Sequence, residues 1–153
     1  MKIKELIISV VIVFLVAFIG SVFAGQNTNS DWYESIKPSI TPPNYVFPIA
    51  WTILFILIAI SLYFVLVNSK KKQKNKIYLI FGANFIFNIL WSFFFFSMQL
   101  PLLAFIDIIL VWLTIFGMIV VSWKINKSAA YLLIPYLLWV SFASILNILI
   151  VLA

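Results

Sequence analysis

Five long apolar stretches alternate with short polar ones along the chain. Residues 6–25, 45–67, 77–98, 102–123 and 129–152 consist mostly of Ile, Leu, Val, Phe and Ala. At about 1.5 Å of rise per residue, each is long enough as a helix to cross a hydrocarbon core about 30 Å thick. Water does not reach the backbone there, so a continuous apolar run must satisfy its own N–H and C=O groups, which a helix does. A membrane-barrel strand would instead alternate apolar and polar positions over roughly ten residues. The pattern predicts an all-α integral membrane protein: one five-helix domain over residues 1–153, with a single long connection at residues 26–44.

Composition sharpens this picture by exclusion. Of 153 residues, 65% are hydrophobic and 9% are charged, against roughly 25% charged in soluble domains. Cysteine and histidine are both absent, which removes thiolate chemistry, the commonest general base and most zinc sites. No metal site is expected, and acid-base work is left to Glu5, Asp31, Glu34 and Asp107. All ten basic residues are lysine. Lacking the bidentate fork of arginine, the chain is a poor reader of phosphates or base edges, and nucleic acid is not expected as a partner.

The lysines report topology. Lys2 and Lys4, then Lys70, Lys71, Lys72, Lys74 and Lys76, then Lys124 and Lys127 fall on one side of a five-helix topology, and Lys37 alone falls on the other. The positive-inside rule places the N-terminus in the cytoplasm and the C-terminus outside. Residues 2–24 also resemble a secretory signal, ending in Val22, Phe23 and Ala24. Their apolar run is longer than most signal cores, so the segment is expected to stay as the first span.

Depth can then be assigned to the unusual residues. Trp51 lies on the second span with Phe55 one turn deeper on the same face. Asn84, Asn88 and Trp91 form one stripe on the third span, spaced i, i+4, i+7. Asp107 sits near the outer end of the fourth span. Trp139, Ala143 and Leu146 form a stripe on the fifth. Trp51, Asn88, Trp91, Asp107 and Trp139 therefore converge in the middle to outer part of the bundle, beneath residues 26–44. Each has a bland reading too: Asn in a span often glues helices together, which suits Asn84 taken alone, and Trp and Tyr at span ends are interfacial anchors, which suits Tyr45, Tyr63, Tyr78, Trp123 and Tyr131. Trp51, Trp91 and Trp139 lie deeper than such a belt and fit the wall of an apolar cavity that needs a polar handle. Asp107, the one carboxylate within a span, is a functional candidate by its cost, or a structural acid near the interface. Phe93 to Phe96 read as lipid-facing and core packing.

The connection 26–44 has its own logic. Asp31-Trp32-Tyr33-Glu34 reads as a short helical turn stopped by Lys37-Pro38, and Pro42-Pro43 then extends the chain. A stiff, aromatic segment of this length is more often a functional lid than a plain linker.

In order, Trp32-Tyr33, Lys37-Pro38-Ser39, Pro42-Pro43, Val46-Phe47-Pro48 with Trp51, Asn88 and Trp91, Leu103-Ala104 with Asp107, and Pro135-Tyr136, Trp139, Phe142-Ala143 and Leu146-Asn147 resemble the tryptophan-rich sensory protein and translocator protein (TspO/MBR, peripheral-type benzodiazepine receptor) family. The resemblance covers about residues 30–147. It implies a five-helix bundle, frequently a homodimer, that binds porphyrins such as protoporphyrin IX and hydrophobic drug-like ligands in a pocket under the first long loop. Matching pocket positions are Trp51, Asn88, Trp91 and Trp139, with Trp32 and Tyr33 from the lid. Trp51 and Trp139 match tryptophans implicated in light- and oxygen-dependent porphyrin degradation. Ile40 and Tyr45 stand where many relatives have tryptophan, and the last span lacks the tyrosine and basic residue of the cholesterol-recognition pattern. With no histidine to ligate haem iron, a metal-free porphyrin is the expected ligand or substrate, and no cofactor is required.

The sequence therefore leads to a porphyrin-binding sensor or scavenger, multi-pass in a bacterial cytoplasmic membrane. The candidate ligand-binding set is Trp32, Tyr33, Trp51, Phe55, Asn84, Asn88, Trp91, Asp107, Trp139 and Ala143. The alternatives are an enzyme-like photochemical degradation through Trp51 and Trp139, and a tetrapyrrole or lipid transporter.

Overall fold

A computed structural model describes residues 2–153. They form six α-helices: α1 (Ile3–Ala24), α2 (Asp31–Ile36), α3 (Val46–Asn68), α4 (Lys74–Ser92), α5 (Pro101–Trp123) and α6 (Lys127–Leu152). A short 3₁₀ turn precedes α4, and a π-helical turn, Phe93–Ser97, follows it. All except α2 are long and apolar enough to cross a membrane, so the all-α five-span architecture is as the hydrophobic pattern predicts. The spans begin one to three residues earlier or later than the apolar runs do. At α4 and α6 the difference is that Lys74, Lys76 and Lys127, polar residues outside the apolar runs, take helical backbone.

Local chemistry sets the ends. Pro101 occupies the first position of α5, where its missing N–H costs nothing. Asn126 accepts a hydrogen bond from the Ala129 N–H at 3.0 Å and caps α6. Gln99, between the π turn and α5, adopts φ 54°, a left-handed residue that lets the chain reverse in a few residues.

The five spans close a ring in the order α1, α3, α6, α5, α4 and back to α1. Several polar groups in the interior are paired across helices, as groups without a water or lipid partner must be. Asn88 Nδ2 donates to the Tyr136 hydroxyl at 2.8 Å, and that hydroxyl donates to Asn84 Oδ1 at 3.0 Å. Asn84 Nδ2 in turn reaches the Val111 carbonyl and Thr114 Oγ1 on α5, at 3.3 and 3.0 Å. One tyrosine thus links α6 to α4, and one asparagine links α4 to α5. Nearer the other end, Ser61 Oγ donates to the Ala129 carbonyl at 2.8 Å, tying α3 to α6. The Ile80 side chain of α4 also packs directly onto Gly117 of α5, where a Cβ would lie 2.8 Å from Ile80 Cδ1.

This network predicts an asymmetry between two tyrosines of α6. Replacing Tyr136 by Phe strands two buried amides and should cost about 1–2 kcal/mol. A lower thermal unfolding midpoint in detergent is expected for Tyr136→Phe, with little change for Tyr131→Phe, whose ring is exposed. Equal midpoints would contradict the network's role.

Candidate functional site

The end of the bundle nearest α2 holds a chamber of about 620 Å³. That size suits a drug-sized or larger flat molecule. Its wall is mainly apolar and draws on every span: Phe14, Ala17 and Gly20 of α1, Trp51 and Phe55 of α3, Asn88 and Trp91 of α4, Ile108 and Val111 of α5, and Trp139, Ala143 and Leu146 of α6. No carboxylate and no lysine lines it. The chamber also reaches the outer surface between α1 and α3, where Phe14 and Phe18 are largely exposed.

The lid is built from the 26–44 connection and is held by polar contacts at both edges. Ser30 caps α2 by accepting from the Tyr33 N–H at 3.2 Å and donates its own hydroxyl to the Asn27 carbonyl. Asn27 Nδ2 donates to the Phe96 carbonyl, and Ser97 Oγ donates to Gln26 Oε1, which pins the start of the lid to the end of α4. At the far edge, Glu34 accepts from Lys37 at 2.8 Å and from Asn44 Nδ2 at 3.2 Å. Those two donors hold the Glu34 carboxyl below its usual range.

Beneath the lid lies an aromatic platform. Phe95 stacks on Trp91, with ring centroids 5.1 Å apart and planes at 20°. Phe96 packs edge-on to Phe95 at 4.8 Å, and Tyr33 rests its ring edge-on against both. The π turn makes this possible. In an α-helix Phe95 shares a face with Trp91 and Phe96 swings away; a turn closed by i→i+5 bonds keeps both inside. Phe95 and Phe96 are accordingly buried, and of the lipid-facing and core packing expected for Phe93 to Phe96 these two take the core part, supporting the lid.

Several polar atoms at the chamber have no partner among the described residues. Trp139 Nε1 is buried and unpaired, as are Thr41 Oγ1 and Asn44 Oδ1 near the lid; all three residues line the chamber. Trp91 Nε1, by contrast, donates to Asn147 Oδ1 at 3.0 Å, while Asn147 Nδ2 donates to the Pro101 carbonyl at 2.9 Å. The chamber thus has one indole, Trp139, with a buried unused donor, the further indoles of Trp51 and Trp91 as flat wall, and polar lining from Thr28, Asn29, Thr41 and Asn44. Such a site can bury a large planar molecule and orient it by few hydrogen bonds. Its wall holds no carboxylate and no lysine, and its one ionisable side chain, the Tyr33 phenol, keeps its proton at neutral pH.

Of the candidate residues, Tyr33, Trp51, Phe55, Asn88, Trp91, Trp139 and Ala143 line the chamber. Trp32, Asn84 and Asp107 do not. Trp32 sits on the outside of the platform, edge-on to Phe95 at 5.7 Å. Asn84 is fully buried and spends its hydrogen-bonding capacity on α5 and α6. Asp107 is buried in the bundle, with Oδ2 unpaired, and Ile108 and Val111 supply the α5 wall instead. The α1 lining, Phe95, Phe96 and the partner role of Asn147 were missed. Only Asn147, a polar residue one turn beyond Ala143, left a signal in the sequence.

The comparisons with known proteins agree with this architecture. The TspO/MBR family model matches residues 9–152. A tryptophan-rich protein TspO of Chlorobaculum tepidum is 42% identical over 86% of this chain and 84% of its own length. One from Archaeoglobus fulgidus is 39% identical over 96% and 95%, and a tryptophan-rich sensory protein of Cereibacter sphaeroides is 30% identical over 76% and 73%.

Tyr33 gives the lid a pH signature. Burial first, and the Glu34 charge second, raise its phenol above the ordinary value of 10.0. The folded lid therefore holds that proton longer than the unfolded chain, so the stability Tyr33 contributes is complete below about pH 10 and is lost as pH rises through the raised folded value. An ultraviolet difference titration of wild type against Tyr33→Phe should show a phenolate midpoint above 10. A midpoint at 10 would mean the ring is not buried against Phe95 and Phe96.

Proposed function

This chain belongs to the TspO/MBR family, and from that premise we propose that its chamber binds a metal-free tetrapyrrole of the protoporphyrin IX kind, the protein acting as a membrane sensor or scavenger. The carrying observation is a chamber of about 620 Å³ walled by Trp51, Trp91 and Trp139 with no carboxylate and no lysine on its wall. A flat macrocycle gains roughly 25 cal/mol for each Å² of apolar surface it buries there. Its faces lie against indole rings, and an acceptor atom on the ligand meets the free N–H of Trp139. Its propionates point to the rim, toward Thr28, Asn29, Thr41 and Asn44. The same walls accept other hydrophobic, drug-like molecules. In this reading the lysine-rich end faces the cytoplasm of a bacterial cell and the lid faces outward.

A photochemical second reading rests on one specific observation: Trp51 and Trp139 reach the chamber wall while no carboxylate or lysine does. An excited porphyrin held between oxidisable indoles has electron donors beside it, and illumination with oxygen would then consume the ligand.

Binding is tested by quenching of protein fluorescence with protoporphyrin IX in darkness. Trp51→Phe and Trp139→Phe should each fold normally and weaken binding roughly three- to tenfold. Unchanged titrations in both variants would remove these rings from the site. Illuminating the complex with and without oxygen separates the two readings: products identical to those of free porphyrin in detergent leave binding alone.

A further inference from the structure

Nine lysines crowd the end of the bundle opposite the lid, with Glu5 as the one carboxylate among them. Three of the nine are engaged. Lys74 pairs with Glu5 at 3.8 Å, Lys2 Nζ donates to the Val67 carbonyl, and Lys127 Nζ lies 5.1 Å over the Trp123 ring. Lys72, Lys76 and Lys124 have no partner among the described residues, and these three surround one cleft of about 290 Å³ between the start of α4 and the end of α5. Val121, Ile125 and Gln73 complete its lining.

Two further observations bear on what fills it. The first is electrostatic. The first turn of α4 carries Lys74 and Lys76 and no acid, although the N-terminal end of a helix is its positive pole and favours anions. Mutual repulsion among the lysines adds to that mismatch, and an anion seated in the cleft relieves both. The second is depth. Trp123 and Tyr131 are exposed and packed edge-on at 5.4 Å, and Tyr78 is exposed nearby in sequence to Lys76. Such rings sit at the headgroup level of a bilayer, and Lys124 directly follows Trp123.

We propose that this cleft binds the phosphodiester headgroup of an anionic membrane lipid, with Lys72, Lys76 and Lys124 on the phosphate and Val121 and Ile125 under the first carbons of the acyl region. Basic pockets between spans on the lysine-rich side recognise lipids in this way. Topology alone asks only that lysines gather on one side. It does not require three of them round one cleft with no counter-charge.

The test compares two triple variants of equal charge: Lys72→Gln, Lys76→Gln, Lys124→Gln in the cleft, and Lys4→Gln, Lys70→Gln, Lys71→Gln outside it. Phosphatidylglycerol, phosphatidylcholine and inorganic phosphate are titrated separately against the detergent-purified full chain. Bound lipid is counted by native mass spectrometry, and the thermal midpoint is followed for all three additives. Phosphatidylglycerol should bind wild type and the control triple alike and raise their midpoints, with affinity on the order of a hundredfold weaker for the cleft triple. Phosphatidylcholine and free phosphate should leave the midpoint unmoved. Equal weakening in both triples would reduce the effect to net charge and overturn the site. An equal shift from phosphatidylcholine would overturn it as well, and an equal shift from inorganic phosphate would overturn the lipid as its occupant. Porphyrin quenching serves as a separate readout of folding at the other end, so failure of the cleft and failure of the chamber are distinguishable.

Discussion

Inside a bilayer a polar side chain has no solvent to fall back on, and the fold is organised by that constraint. Asn88, Tyr136, Asn84 and the Val111 carbonyl form one chain of hydrogen bonds across α4, α5 and α6, and Asn147 joins Trp91 to the first residue of α5. Helices packed only by Leu and Ile could slide or rotate at small cost, because lipid tails are as apolar as they are. Discrete polar bonds remove that freedom. Trp91 and Trp139 therefore face a common space because the helices carrying them are locked in rotation.

From that lock the chamber and its lid follow. Paired interior amides leave the wall apolar, and the widened turn at Phe93–Ser97 brings two phenylalanines under Tyr33. Polar fastening is confined to the lid's edges, at Asn27, Gln26, Glu34 and Asn44. The molecule is thus polarised along its length: a mainly apolar chamber without carboxylate or lysine under a stapled lid at one end, and a dense field of lysines at the other. This division suits a protein that takes up a hydrophobic ligand at one end and is held in register with the membrane by charge at the other.

Much of this was legible in the sequence, for reasons that also explain the failures. Spans of about 20 apolar residues announce themselves, and Asp31 through Glu34, with the stop at Lys37-Pro38, reads as a short helical turn, so α2 could be placed. Trp51, Trp91 and Trp139 stood out because they lie too deep for an interfacial belt. Helical spacing gives the face of one helix, however, and not its rotation against the next. Asn84 shares a stripe with Asn88 yet turns to α5, and Asp107 lies beside Ile108 yet leaves the wall to it. Phe95 and Phe96 do pack in the core as expected, but α-helical spacing does not foresee the π turn that brings both of them toward Tyr33. The α1 wall, Phe14, Ala17 and Gly20, has nothing but apolar character and so carries no signal at all.

The central claim is that separate spans enclose one chamber that a porphyrin fills. Because the chain has no cysteine, single thiols can be placed at will: Ala143→Cys on the chamber wall, and Ile53→Cys on the exposed outer face of α3. The direct measurement is the rate of labelling of each by a membrane-permeant maleimide, with and without protoporphyrin IX in darkness. The account predicts that porphyrin slows labelling at residue 143 and leaves residue 53 unaffected. Equal rates at both positions, untouched by porphyrin, would contradict it.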